Sequence, residues 1–470
     1  MSKLKTVLAA IDGSETERLE RLFGLLRFAS VGTDPHHAGD CRKAAEWLMN
    51  MFQAKGFASD LRETTGQPVV MAQYAPPGNP HVPHVLFYGH YDVQPSVPDE
   101  LWTTPPFQPV IHETPNGDAA IYARGAADDK GQLMTFVEAS FAWLDAHGSL
   151  PFRLTVLIEG DEEGDNSLLD SFIRTNKSRL AADVVFICDT NLWDRETPAI
   201  VTALRGTIGE EVVVQGPRID LHSGYFGGPA VNPIKALSAI IASLHDKKGR
   251  VTIPGFYNGI KSMTPARRRK LKALPFDEKT FMENAGLKTT AGETGYSVLE
   301  QVWTRPTCEV NGIIGGYTAQ GSKTVLPARA TAKFTFRLVE GQNASAIRKS
   351  FRAHVKKHLA RDCKVTIESS GGNLGGVSVA DDSIWIELGQ KALADEWGKQ
   401  ALLVGEGGSI PVVESFRKHL KMDSLLIGFG LDDDCVHSPN EKYDVRSFNR
   451  GTRTWARLIA EIDVENEKAG

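Results

Sequence analysis

The sequence predicts an α/β protein: a first domain on a mostly parallel sheet with helices on both faces, plus an inserted α+β domain of ferredoxin-like type. Three observations carry this expectation. Up to about Arg205, apolar strands alternate with helical segments, which implies parallel pairing covered on both faces. Beyond Arg205 the strands alternate apolar and polar residues, the pattern of a sheet with one wet face. After Gly372 the first pattern returns. The expected organisation is 1–205 and 381–470 as the two parts of the first domain, with 206–380 inserted between them.

The elements follow in order. Leu19, Leu22, Phe23 and Leu26 recur at helical spacing between Ser14 and Phe28, and Ala44, Leu48 and Phe52 do so between Cys41 and Lys55. Val69 to Tyr74 and His84 to Tyr88 read as strands, and Ala120 to Ala123 as a short one before a helix over Gln132 to His147. Leu154 to Ile158 and Asp183 to Cys188 complete the first set of strands. In the insert, Thr207 to Gln215, Val310 to Tyr317, Arg329 to Val339 and Lys364 to Glu368 read as strands, with helices at Asn232 to Leu244 and Asn343 to Leu359. That order suits a split β-α-β sandwich. The stretch His245 to Thr290 has no clear repeat, and its run Arg267 to Lys272 reads as a solvated helix face, with an anion patch as the other reading. Helices at Ser383 to Trp397 and Val445 to Ile462 close the chain.

Bulk composition excludes several classes. With 470 residues, 41% hydrophobic, 24% charged and a net charge of −5, the chain has no basic excess to attract nucleic acid. Its five cysteines are odd in number, scattered and never in a C-x-x-C pair, which suits reduced thiols in a cytoplasmic protein. No run of about 18 apolar residues occurs and the start lacks a signal-peptide pattern, so no membrane partner is expected.

The chemistry is concentrated where strands end. Leu154 to Ile158 runs into Glu159-Gly160-Asp161-Glu162-Glu163, where adjacent carboxylates at a strand end call for a cation or a raised proton affinity. Glu163 reads as a metal ligand and Glu162 as a general base. His90, Asp128, Asp189 and His437 also lie at or shortly after the ends of expected strands, where open α/β sheets form sites. Two histidines and three carboxylates are a ligand set for two divalent ions, zinc first, with manganese or cobalt as alternatives. Asp128 shared as a bridge completes both ions, and such pairs, about 3.5–4 Å apart, activate a water between them. Asp92, two residues after His90, is placed to orient its imidazole. Singly, each residue has an ordinary reading, Asp128-Asp129 as a helix cap and Asp189 or His437 as loop residues; together they read as one site.

Gly89-His90-Tyr91-Asp92-Val93, Arg124 to Gly131, Glu159 to Glu163, Cys188-Asp189 and Val436-His437-Ser438 resemble the dinuclear-zinc exopeptidases that include cytosolic nonspecific dipeptidase, carnosinase, glutamate carboxypeptidase and acetylornithine deacetylase. Asp220 to Gly224, Lys323 to Pro327, Phe336 to Val339 and Glu406 to Pro411 are similar to the dipeptidase branch in particular. The resemblance implies that His90 and Asp189 hold one metal and Glu163 and His437 the other, with Asp128 bridging, a cis peptide bond after it, and Glu162 as base. It further implies that Arg337 holds a substrate carboxylate, that Thr324 and Ser409 line the same pocket, and that His222 serves the partner subunit's site. The insert is then a lid and the joint of a homodimer. Glu163-Gly164-Asp165-Asn166 departs from the small-residue run of many relatives.

The expected reaction is hydrolysis of the peptide bond of a dipeptide or similar short peptide with a free C-terminus. The alternative is an N-acyl amino acid deacylase or carboxypeptidase with the same site. A binding module that keeps the fold is disfavoured by intact Glu162, and a nucleotide-dependent enzyme by the absence of G-x-x-x-x-G-K-[ST] around Glu406-Gly407-Gly408.

Overall fold

A computed structural model describes residues 2–78, 81–164, 167–379 and 383–469. Asp165 and Asn166 of the departing loop, and the expected boundary at 380–381, lie outside the described residues. The chain divides into two compact units, one of Met1–Thr202, Val379–Val404 and Ser415–Gly470, the other of Ala203–Ser378 with Gly405–Glu414.

The first unit is built on a mixed sheet. Strands Arg153–Glu159, His84–His90, Val184–Ile187 and Asp423–Leu426 lie side by side and parallel. Val69–Tyr74 joins the outer edge of Arg153–Glu159 antiparallel, followed by Ala58–Arg62, and Ala199–Leu204 pairs antiparallel with Asp423–Leu426. The parallel block explains its own sequence: Val184–Ile187 is buried at every position, as a strand covered on both faces must be. Adjacent residues on one strand show the two covers. Phe87 stacks on Phe136 at 4.0 Å between ring centres, and Tyr88, pointing the other way, meets Phe416 edge-on at 5.9 Å.

Helix Lys130–His147 is buried almost throughout, which its apolar sequence all round requires. It packs against Val445–Ala469, where Trp455 Nε1 donates to Thr135 Oγ1 at 3.1 Å and Trp143 Nε1 to the Ala456 carbonyl at 3.1 Å. Gly131 at its start has no room for a side chain, because a Cβ there meets the Ala126 carbonyl oxygen at 1.9 Å. Two expectations differ in detail. The opening region holds three helices, Lys3–Gly13, Glu15–Leu26 and Ala38–Ala54, and the short strand Ala119–Tyr122 belongs to a separate antiparallel sheet with Val110–Glu113 and Lys442–Asp444.

In the second unit, Gly206–Gln215, Thr307–Gly315, Arg329–Leu338 and Lys364–Gly371 form an antiparallel sheet in the order Thr307, Arg329, Gly206, Lys364 by first residue. Helices Pro233–Ala242 and Ala344–His358 pack against it, giving the β-α-β-β-α-β order of a ferredoxin-like sandwich. Phe334 and Phe336 face Phe351 at 5.1 and 5.0 Å, so the alternation seen in Arg329–Leu338 is the inward face of this core. No helix among the described residues is long and apolar enough to cross a membrane.

Candidate active site

The parallel strands deliver His90 and, just past their ends, Glu162, Glu163 and Asp189 to one edge of the first unit's sheet. Asp128 arrives on the loop before Lys130–His147, and His437 on the loop before Lys442–Asp444. His90, Asp128 and Asp189 place one ligand atom each within 4.8 Å of one another; so do Asp128, Glu163 and His437. Asp128 is common to both groups.

His90 is fully buried, and its Nε2 lies 3.1 Å from Asp128 Oδ1 and 3.9 Å from Asp189 Oδ2 without a hydrogen bond. Its other nitrogen, Nδ1, faces the Asp92 carbonyl at 3.0 Å and Asp92 Oδ1 at 3.4 Å, leaving Nε2 as the free donor of an electron pair. His437 Nε2 lies 3.0 Å from Asp128 Oδ2 and 3.3 Å from Glu163 Oε1. An orphaned buried imidazole nitrogen aimed at Asp128 and Asp189, and a second imidazole between Asp128 and Glu163, fit divalent cations. No cysteine belongs to either group.

The electrostatics agree. Burial alone would lower His90, but Asp128 and Asp92 beside it hold the imidazole well above its ordinary range. Contacts with Asp128 and Glu163 push His437 up to about 10. Burial works to raise Asp128, yet His437 and His90 hold it below the usual carboxylate range. Glu162 behaves oppositely: burial pushes its carboxyl well above that range, His90 opposes this, and Asp189 and Glu163 add to it. The Glu162 side chain has no hydrogen-bond partner among the described residues.

Surrounding residues fix these groups. Asp92 accepts the backbone N–H groups of Glu162 and Glu163 at 3.3 and 3.1 Å, so it holds the glutamate turn as well as the His90 ring. Gln94 Nε2 donates to Glu163 Oε2 at 2.8 Å. The peptide bond between Asp128 and Asp129 is cis. Asp129 does not cap the helix with its side chain; its Oδ2 accepts the His90 N–H at 3.2 Å instead. Glu441, fully buried, accepts the N–H groups of Gly125, Ala127 and Asp128 at 3.0, 2.9 and 3.1 Å, together with Arg124 Nη1 at 2.8 Å. His437 sits at φ 62°, as do its loop neighbours Cys435 at 55° and Asn440 at 63°, a left-handed backbone that is costly for such residues and typical of functional loops. Asn440 ties that loop down through the Thr103 N–H at 2.7 Å and the Leu101 carbonyl at 2.9 Å. Sequence does not mark Gln94 or Glu441: each is one polar residue in a loop, four positions after His90 and His437 respectively, with no pattern to distinguish it.

The remaining expected residues lie in the second unit, in two pairs. Arg337 Nη1 donates to Ser409 Oγ at 3.0 Å, and the glycine loop before Ser409 is held by Arg205, whose Nε donates to the Gly407 carbonyl at 3.0 Å. His222 pairs with Val325 in a short antiparallel ladder, beside Thr324, whose carbonyl accepts the Ser223 N–H at 3.0 Å. The His222 ring is exposed, with Nδ1 accepting the Gly224 N–H at 2.9 Å.

An open α/β sheet whose strand ends gather two ligand groups around one shared aspartate, beside a glutamate of raised proton affinity, is the arrangement of a metal-dependent hydrolase. The chain belongs to Peptidase family M20/M25/M40, whose family model matches residues 86–461. It is 29% identical to the Cys-Gly metallodipeptidase dug1 of Schizosaccharomyces pombe over 98% of both chains. With the Beta-Ala-His dipeptidase of Homo sapiens it shares 30% identity over 84% of this chain and 77% of that one. The solved structure of the di-peptidase Dug1p from Saccharomyces cerevisiae superposes with a TM-score of 0.79 at 28% identity, covering 99% of each chain. The chain is a metal-dependent peptidase of the dipeptidase branch, as its motifs imply.

Proposed function

We propose that this protein hydrolyses dipeptides with a free C-terminal carboxylate, using two divalent cations held by the five residues at the sheet edge. The observation that carries the reading is the shared position of Asp128 between the His90–Asp189 group and the Glu163–His437 group. Cys-Gly and Beta-Ala-His dipeptidases among the relatives support a dipeptide as substrate over an N-acyl amino acid or a longer peptide.

His90 and Asp189 would hold one cation and Glu163 and His437 the other, with Asp128 available to both. Zinc suits the nitrogen and carboxylate donors, and manganese or cobalt would also be accepted. Bound there, the cations supply Lewis acidity toward water and the substrate carbonyl. Glu162 takes the proton from the attacking water and returns it to the leaving amine; burial raises the proton affinity of its carboxyl, which favours taking up that proton. Asp92 orients His90 and the glutamate turn. In the second unit, Arg337 and Ser409 receive the substrate carboxylate, whose two oxygens match a guanidinium fork, and Thr324 lines the same pocket.

The domain at 206–380 serves as lid and as the joint of a homodimer, with His222 stabilising the oxyanion in the partner subunit's site. Two features support this. The outer edge of strand Thr307–Gly315 has no partner strand among the described residues and exposes Ile313 and Ile314 by 60% and 59%. His222 stands exposed beside Tyr225, itself 80% exposed, at 4.7 Å between rings. Free cysteines, four of them at least partly buried, support a cytoplasmic protein.

Amine release from dipeptides, tripeptides and N-acetyl amino acids, by enzyme stripped with chelator and reloaded with zinc or manganese, tests the reading. Metal-dependent cleavage confined to dipeptides is the expected result; turnover of acyl amino acids alone would replace it with the deacylase.

A further inference from the structure

The segment between helix Pro233–Ala242 and strand Thr307–Gly315 has no part in the proposed chemistry, yet it folds around a cavity of about 430 Å³. Arg250, Tyr257, Lys261, Arg268, Tyr296 and Arg305 are among the residues lining it. Guanidiniums and rings alternate there. Arg250 lies 3.8 Å from the Tyr257 ring centre, Arg305 lies 5.2 Å from that ring and 4.4 Å from Tyr296, and Arg268 lies 5.6 Å from Tyr296.

Two glutamates outside the lining anchor the arginines. Glu293, 9% exposed, takes Arg250 Nη1 at 2.9 Å and Arg305 Nε at 2.8 Å. Glu300, 2% exposed, takes Arg268 Nε at 2.6 Å while closing a capping box with Ser297. Lys261 has no ion-pair partner among the described residues. The four cations thus outnumber the two carboxylates, and no carboxylate among the described residues lines the cavity. A ladder that only cemented the segment would have no use for the surplus, since like charges gathered without compensation repel.

We propose that this cavity binds a compact multivalent anion, carrying either a phosphoryl group or two carboxylates. Its guanidiniums are already fixed by glutamates and rings, so little side-chain freedom is lost when their remaining N–H groups meet the anion. The volume suits a small molecule. The basic run Arg267 to Lys272 contributes Arg268 to this cavity, while no residue of its helix Pro265–Lys272 is fully buried.

Calorimetric titration of the metal-loaded protein with inorganic phosphate, and separately with succinate, at fixed ionic strength tests the proposal. One saturable site per chain is expected, weakened about tenfold or more by Lys261→Glu and by Arg250→Gln, each removing a charged donor, and retained in Asp128→Ala. Saturation by phosphate alone assigns the phosphoryl source, and by succinate alone the dicarboxylate. Absence of saturable binding to either, binding indifferent to Lys261 and Arg250, or binding lost in Asp128→Ala, which places the anion at the metal centre, each overturns it.

Discussion

The buried carboxylate of Asp92 accepts the backbone N–H of Glu163 at 3.1 Å while lying 3.4 Å from the His90 ring, so one side chain braces a ligand in each metal group. Removing it loosens both at once. Asp92→Ala is expected to lower metal affinity about 10- to 100-fold, read as metal content after dialysis against a weak chelator. Content equal to that of the unaltered protein would remove Asp92 from this role.

Glu162 is separable from its neighbour. Its carboxyl touches no hydrogen-bond donor among the described residues, whereas Glu163 is bound by Gln94 and His437. Glu162→Gln should therefore keep its metal and lose turnover by roughly 10²- to 10⁴-fold, the usual worth of a general base. Full activity with metal bound would mean that another group moves the proton.

Much of this centre was legible because the parallel-sheet geometry sends strand ends to one place: His90, Glu163 and Asp189 follow runs such as Val184–Ile187 whose unbroken burial marks them in the sequence. Asp128 and His437 are likewise expected at or shortly after strand ends; the loops that carry them flank a separate small sheet, yet both lie in the cluster. Glu441 was not legible, since what makes it matter is the convergence of three amides and Arg124 from over 300 residues earlier, which leaves no local pattern. The same holds for Glu293, whose partners Arg250 and Arg305 approach from opposite directions along the chain.

Glu441→Ala leaves the buried Arg124 guanidinium and three amides without their acceptor. A loss of about 3–5 kcal/mol is expected, the cost of breaking a buried ion pair from one side. Denaturant melts with unchanged slope and a lower midpoint would report it. A midpoint within error of the original would show that other groups take over these donors.

Glu406 gives a stability change with pH of defined sign. Burial pushes its carboxyl up to about 7 from an ordinary 4.5, and Oε2 has no hydrogen-bond partner among the described residues. The folded state therefore favours the protonated form, and ionisation costs stability as pH rises from 4.5 through 7. Glu406→Gln removes that cost, so the variant should match the original near the lower value and exceed it by about 1–3 kcal/mol above the upper one. Parallel stability curves across this window would mean that the carboxylate finds a partner when ionised.

Arg337 tests the source of substrate selection. Its guanidinium is held by Ser409 through Nη1, which leaves the rest of the fork for a carboxylate. Arg337→Lys keeps the charge and loses the planar pair of donors, so kcat/KM for dipeptides should fall roughly 10- to 100-fold, the worth of one charge-assisted hydrogen bond. C-terminally amidated dipeptides, which offer no carboxylate, should be poor substrates of both proteins and change little between them. If the variant loses activity on acid and amide alike, Arg337 acts on the fold of its strand and the carboxylate is bound elsewhere.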